Sequence, residues 1–167
     1  MDPRKSNPLN TPENEIALLG ALIMAPEQRA EILDIVRSEM FTDERHKLIL
    51  TTLKAMYLGG KEIDALSLLS ELKAGGKLLD AGGAEYIAVI VDTTPHVGAA
   101  SLYAERVRDF YRRRKIVASL QAMHKEVMES GDSVPTIVNR LMEMLAEGSS
   151  GRSLEEIQAI VWDAMDS

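Results

Sequence analysis

The residues that could do chemistry in this chain are few and dispersed. Its three histidines, His46, His96 and His124, stand far apart. None belongs to an HExxH pair or to another spacing that sets ligands side by side on a helix. His46 falls just after a predicted helix start and beside an apolar stripe, where a packed or hydrogen-bonded imidazole is the simpler reading. The absence of cysteine removes disulfides and thiolate metal sites and fits a reducing cytosol. The pairs Gly59-Gly60, Gly75-Gly76 and Gly82-Gly83 do not stand between a strand and a helix as a phosphate-binding loop does, and no Walker loop or GxSxG elbow occurs. Acidic residues are scattered, and most fall on helix first turns, where the helix dipole accounts for them. The sequence therefore predicts no catalytic, cofactor-binding or metal-binding residue in these 167 positions.

The sharpest charged feature is Arg112-Arg113-Arg114-Lys115. Four consecutive cations surround a helix, so at least one points inward or toward a partner. Three readings are open: a solvated run, a phosphate or partner contact, and a salt bridge across a helix pair to Glu143 or Glu147. Phe110 and Tyr111 lie on the packing stripe, which argues against a base-stacking platform. A net charge of −7 argues against strong DNA binding by this chain alone. The distribution is uneven. Ala104–Lys125 carries seven basic residues against two acidic, and Glu126–Ser167 carries nine acidic against two basic. That pattern suits antiparallel helices with complementary flanks, or a partner surface.

The elements that must carry these groups read as helices throughout. Thr11-Pro12-Glu13 opens a first helix with Leu19 and Leu22 on its stripe, and Pro26 ends it. A short second helix carries Ile32 and Leu33. Thr42-Asp43-Glu44 opens a third with Ile49, Leu53 and Met56, and Asp64 caps a fourth with Leu68 and Leu72. The glycine pairs punctuate these short helices. A fifth runs from about Ala84 to Asp92; strand is the only rival reading there, and helix is preferred. After Thr94-Pro95, positions 99–129 contain no Pro or Gly and predict a helix about 45 Å long. Ser130-Gly131-Asp132-Ser133 is a tight turn, and a helix from Val134 to Glu147 returns.

The predicted fold is all-α: a flexible arm over 1–10, a compact helical bundle over 11–98, a projecting antiparallel helical hairpin over 99–147, and a linker with the start of a tethered helix over 148–167. The hairpin's apolar stripe, Tyr103, Val107, Phe110, Val117, Leu120 and Val127 with Ile137, Leu141 and Leu145 returning, is longer than the bundle can cover and predicts a subunit interface. Ser153-Leu154-Glu155-Glu156 is a capping box. It opens a helix bearing Leu154, Ile157, Val161 and Trp162, which either folds back or waits for a neighbouring surface. No run is long enough to span a membrane and no signal peptide is visible, so the chain reads as soluble and cytoplasmic. An aliphatic core follows from 4% aromatics, with 9 methionines as adaptable filler.

Five strings in order resemble the N-terminal domain of DnaB-type replicative helicases. Glu15 to Leu22 resembles an "E-x-x-x-L-G-x-L" helix, and Phe41 through His46 to Ile49 resembles "F-x-x-x-x-H-x-x-I". Ile63-Asp64 with Leu68 and Leu72 resembles "I-D-x-x-x-L-x-x-x-L", and Gly82-Gly83 with Tyr86-Ile87 resembles "G-G-x-x-Y-L". Thr94-Pro95, Tyr103-Ala104, Val107-Arg108 and Arg113 resemble "T-P…Y-A-x-x-V-R…R". No single string is specific; the ordered set is. One departure is His96-Val97-Gly98-Ala99 where the family usually has S-A-A-N.

The resemblance implies a non-catalytic collar domain. Hairpins pair between subunits, six copies form a trimer of dimers, and the collar docks a DnaG-type primase and a helicase loader in the primosome. Arg112–Lys115 becomes a partner-contact candidate, and the final helix packs on a neighbouring subunit. ATP and Mg would belong to a C-terminal ATPase domain outside this sequence, in a parent protein that is a DNA helicase. Two alternatives are a primase helicase-binding domain, against which the order of motifs argues, and a stand-alone mimic of the helicase collar.

Overall fold

The computed structural model describes residues 12–148. Within them the chain is helical, without a strand: α1 (Pro12–Met24), α2 (Pro26–Ile35), α3 (Glu44–Leu58), α4 (Ala65–Ala74), α5 (Gly83–Thr93), α6 (Ala100–Glu129) and α7 (Val134–Gly148). Single 3₁₀ turns at Ser38–Met40 and Val97–Ala99 complete the order. The all-α expectation holds, and the 86–91 run is helix. The chain divides into two compact units, one ending at Tyr111 and one beginning at Arg112.

In the first unit α1 is the central helix. Its residues from Ala17 to Ile23 are all buried, so it is covered on every side rather than along the single stripe expected. α3 and α5 pack against it, and Gly20 sets the approach to α5. A Cβ there would lie 1.8 Å from Thr94 Oγ1 and 2.8 Å from the Ile90 carbonyl, so only glycine lets the two backbones come this close.

Helix ends follow local rules. Pro26 takes the first position of α2, with Ala25 outside helical geometry before it. Asp64 accepts from the Ser67 N–H at 2.8 Å and caps α4 as expected, and Asp43, one residue after Thr42, caps α3 by accepting from the Arg45 N–H at 2.8 Å. Both glycine pairs close helices in one way. Gly60 N–H donates to Tyr57 O and Lys61 N–H to Met56 O; Gly76 donates to Lys73 O and Lys77 to Leu72 O. In each pair the second glycine is left-handed, at φ +63° and +66°, which satisfies carbonyls that the helix leaves open. Arg29 supplies a side-chain equivalent for α1, donating to Leu22 O, Ile23 O and Ile63 O at 2.7, 3.0 and 3.1 Å.

The division between units falls inside α6. The first turns of α6 bury Ala100, Tyr103, Ala104 and Val107 in the core formed by α1–α5. Tyr103 and Val107 were expected on a partner-facing hairpin stripe; this is corrected, because at 6% and 1% exposure they are core residues of their own chain.

In the second unit the rest of α6 and α7 form a helical hairpin through the four-residue turn 130–133. Ser130 Oγ accepts from the Asp132 N–H, and Ser133 and Thr136 share a hydroxyl hydrogen bond of 2.9 Å. Arg140 on α7 reaches Glu126 on α6 and, at 3.1 Å, Asp132 in the turn. Among the described residues no helix is long and apolar enough to cross a membrane.

Candidate functional site

Two features could carry function: a buried polar network in the first unit and an apolar arc on the second. The network begins with Glu15, which α1 carries into the interior in its first turn. Glu15 is 1% exposed and His46 is 0%. An isolated carboxylate at that depth would be costly, so its oxygens must be satisfied. Oε1 accepts from the Thr42 N–H and hydroxyl, each at 2.8 Å, and Oε2 accepts from the Asp43 N–H at 3.4 Å. His46 Nδ1 lies 2.6 Å from Oε2, and its Nε2 lies 2.6 Å from Tyr86 Oη. An ionised carboxylate only accepts, so Nδ1 carries a proton, and in the neutral imidazole Nε2 accepts from the Tyr86 O–H.

The electrostatics agree with the geometry. Burial pushes the Glu15 carboxyl up, but hydrogen bonds from His46 and Thr42 together outweigh it and hold the group below its usual range. Hydrogen bonds from Arg45 hold Asp43 down at about 2. Arg45 also lies 4.1 Å from the centroid of the Tyr86 ring, and the Tyr86 and His46 rings are parallel to within 6° at 5.9 Å.

An acid, an imidazole and a hydroxyl in series invite comparison with a nucleophile triad. The terminal hydroxyl here is a phenol whose pKa burial pushes up. Neither of the two larger grooves is lined by Glu15, His46 or Tyr86. Both imidazole nitrogens are engaged inside the network, which leaves none to take a substrate proton. What the arrangement does is tie α1, the start of α3, and α5 together at one point.

His46 was anticipated as a packed or hydrogen-bonded imidazole, and it is one. Glu15 was grouped with acids explained by the helix dipole, and its burial was missed. A signal existed: Glu15, His46 and Tyr86 are the polar members of three of the five family strings.

The arc is on α6 beyond Arg112. Ile116, Val117, Leu120, Val127 and Met128 are 59%, 37%, 58%, 51% and 71% exposed. Helical spacing sets them within roughly a third of the circumference. The neighbouring face, with Ser119, Met123 and Glu126, is partly covered, and the Arg140–Glu126 pair places α7 on that side.

Of the expected interface residues, Val117, Leu120 and Val127 lie on this arc. Phe110, Ile137 and Leu141 are half-buried, as is Arg114, while Arg112, Arg113 and Lys115 are exposed. Leu145 carries no described side-chain environment. Leu154, Ile157, Val161 and Trp162 lie outside the described residues. Arg140 on α7 forms an ion pair across the hairpin with Glu126 on α6.

Comparison with known proteins places these features in context. The family model described as the DnaB-like helicase N terminal domain matches residues 7–109. The replicative DNA helicase DnaB of Leifsonia xyli subsp. xyli is 26% identical over 115 residues, covering 66% of this chain and 25% of that protein. The chain thus spans about a quarter of that relative's length. Among solved structures, the N-terminal domain of DnaB helicase from Mycobacterium tuberculosis superposes with a TM-score of 0.74 at 23% identity, over 84% of this chain and 99% of that one. A DnaB-like replicative helicase, solved in a study of its interactions with primase, gives 0.67 at 20% identity over 94% of this chain and 35% of that one.

Proposed function

This chain belongs to the family of DnaB-like helicase N-terminal domains, and from that premise we propose that it is the non-catalytic assembly and docking part of a replicative DNA helicase. Hairpins of two copies pair, and pairs build a six-membered collar that receives a DnaG-type primase and a helicase loader. ATP and Mg would act in a separate ATPase domain of such a helicase, and the chain itself would hold DNA weakly.

The observation that supports this reading is the exposed arc on α6. A two-helix unit with five large apolar residues open on one helix leaves surface uncovered that association removes from water. The first unit buries its own core around α1, and its most exposed leucines, Leu58, Leu66 and Leu79, stand on different elements rather than on one helix face.

Sedimentation velocity over a concentration series tests assembly. The expected result is reversible self-association that Leu120→Asp weakens by at least about a hundredfold, because a two-fold interface contains the substitution twice and each buried leucine contributes about 1.5–3 kcal/mol. A chain that stays monomeric at every concentration sinks the assembly reading. Titration with the helicase-binding part of a DnaG-type primase tests docking, and no binding at high micromolar concentration removes it.

A further inference from the structure

The α6 arc contains a side chain of the one type whose charge ordinarily changes near neutrality. Given the assembly reading above, on which the inference rests, we propose that His124 gates the pairing of two copies. The second copy seats on the arc while this imidazole is neutral, and self-association weakens as pH falls through the imidazole range.

Three observations converge. The first is position. Val117, Leu120, His124 and Val127 follow one another at steps of three, four and three, the spacing that keeps a single seam of a helix against a partner helix. His124 stands in that seam between Leu120 and Val127, and all four are exposed.

The second is charge, and it selects the occupant. The second unit's stretch of α6 begins with Arg112, Arg113 and Lys115, all exposed, and ends toward Glu129 and Asp132, also exposed. Two arcs laid parallel would set like charge against like. Laid antiparallel, the basic end of each meets the acidic end of the other, the self-complementary form of a two-fold pair. With Val117 level with Val127 of the second copy, His124 is level with Leu120 of the second copy. The two imidazoles then stand one turn apart, about 6 Å along the axis.

The third is what surrounds the imidazole. On α6, the residues three and four positions away are Leu120, Gln121, Val127 and Met128, none of which ionises. Lys125, next in sequence, pairs with Glu129 at 3.8 Å. From α7 the described charged side chains are Arg140, which is held by Glu126 and Asp132, and the exposed Glu143. The second copy brings the same set, with its own His124 foremost. In the paired seam an imidazolium would lose its water, meet apolar neighbours and face a second cation, whereas a neutral imidazole is a polar seam residue of the kind that fixes register.

Pairing therefore favours the unprotonated form, and the paired state binds fewer protons than the separate chains. Association is at full strength above the range in which a free imidazole titrates and is lost as pH falls through it. The net charge of −7 predicts the reverse, because protonation reduces the repulsion between two acidic copies. The direction of the pH dependence thus separates the gate from the overall charge.

Sedimentation velocity of the chain at about pH 8 and about pH 6 tests the proposal. The dissociation constant is expected to be at least about tenfold larger at the lower pH. His124→Leu should pair at least as tightly as the parent at the higher pH and lose the dependence. His124→Lys should pair weakly at both, with an unchanged circular dichroism melt showing that it is folded. In a proton magnetic resonance titration, the His124 midpoint should move down as protein concentration rises. Pairing that ignores pH or tightens on acidification overturns the gate and leaves assembly standing. A dependence that His124→Leu retains also overturns it, and assigns the proton to His46 or His96. A parent chain and a His124→Leu variant that are both monomeric at every pH and concentration remove the assembly reading and the gate together.

Discussion

The two units spend their side chains differently. In the first, α1 is enclosed, helix ends are closed by glycine, aspartate and Arg29, and even a carboxylate is satisfied at depth by Thr42, Asp43 and His46. In the second, Arg140 at the surface pairs with Glu126 and Asp132, and large apolar residues are grouped outward on one face of α6. Exposed ion pairs contribute little to stability. Both units expose apolar side chains: Leu58, Leu66 and Leu79 in the first are scattered, while those of the second are grouped on one face of α6. A single helix, α6, changes from one regime to the other at about Tyr111.

The contrast breaks most sharply at His46. Removing His46 takes a hydrogen-bond donor from the buried Glu15 carboxylate and the acceptor from Tyr86 Oη, at a cost of about 1–3 kcal/mol. His46→Ala should therefore lower the thermal midpoint by roughly 5 °C or more in a melt followed by circular dichroism. With Glu15→Ala as the second arm of a double-mutant cycle, the two losses should fall short of additivity by about 1–3 kcal/mol. Additive losses would mean that the network is not a unit.

Leu120→Asp is the opposite case. Leu120 is 58% exposed, so the substitution should leave the melt of the bundle within about 0.5 kcal/mol of the parent while abolishing most self-association. A large loss of folding stability would show that the arc is internal packing and not an interaction surface.

Gly20→Ala tests the closeness of α1 and α5 more gently. The added methyl meets the Thr94 side chain, which can turn away, and the Ile90 carbonyl at 2.8 Å, which cannot without backbone movement. Overpacking of this kind costs about 1–3 kcal/mol, measured by urea denaturation. A neutral result would place the two helices further apart than described.

Much of this was legible from residue order. Thr42-Asp43-Glu44 and Asp64 announce their helices by side-chain chemistry acting within three residues, and the glycine pairs announce stops by the same locality. Glu15 was not legible in that way. Its partners lie 27 to 31 residues away, and nothing in the local spacing separates a buried first-turn acid from a solvated one. Tyr103 and Val107 show a second limit. They fall on a helical stripe with Val117 and Leu120, and periodicity reports which face is apolar but not what covers it at each turn. The same stripe is core before Tyr111 and open surface after it. The charge run at Arg112 was visible at once, whereas nothing in the local spacing marked the isolated Arg140 as a cation that reaches across to Glu126.

The smallest effect is that of pH, and it too separates the units. Glu15 has a folded pKa below its unfolded one, so the native state binds fewer protons than the unfolded chain as the pH drops into the carboxylate range. Its contribution is present in full above the unfolded value and is lost as pH falls through the folded value. Asp43, held at about 2 by Arg45, acts with the same sign over a window that reaches down to about pH 2. The bundle should therefore lose stability progressively on acidification below the ordinary carboxylate range. In urea midpoints measured across that range, Glu15→Gln should flatten the dependence, because the amide does not titrate while its oxygen still accepts from Thr42. A variant that is less stable overall but keeps the parent's slope would show that the carboxylate's charge is not what the network holds. Tyr86→Phe keeps the Glu15–His46 contact and removes only the phenol, so it should lower stability by about 1 kcal/mol and leave the acid slope intact. A slope that disappeared with the phenol would mean that Tyr86, rather than Glu15, couples the network to the proton.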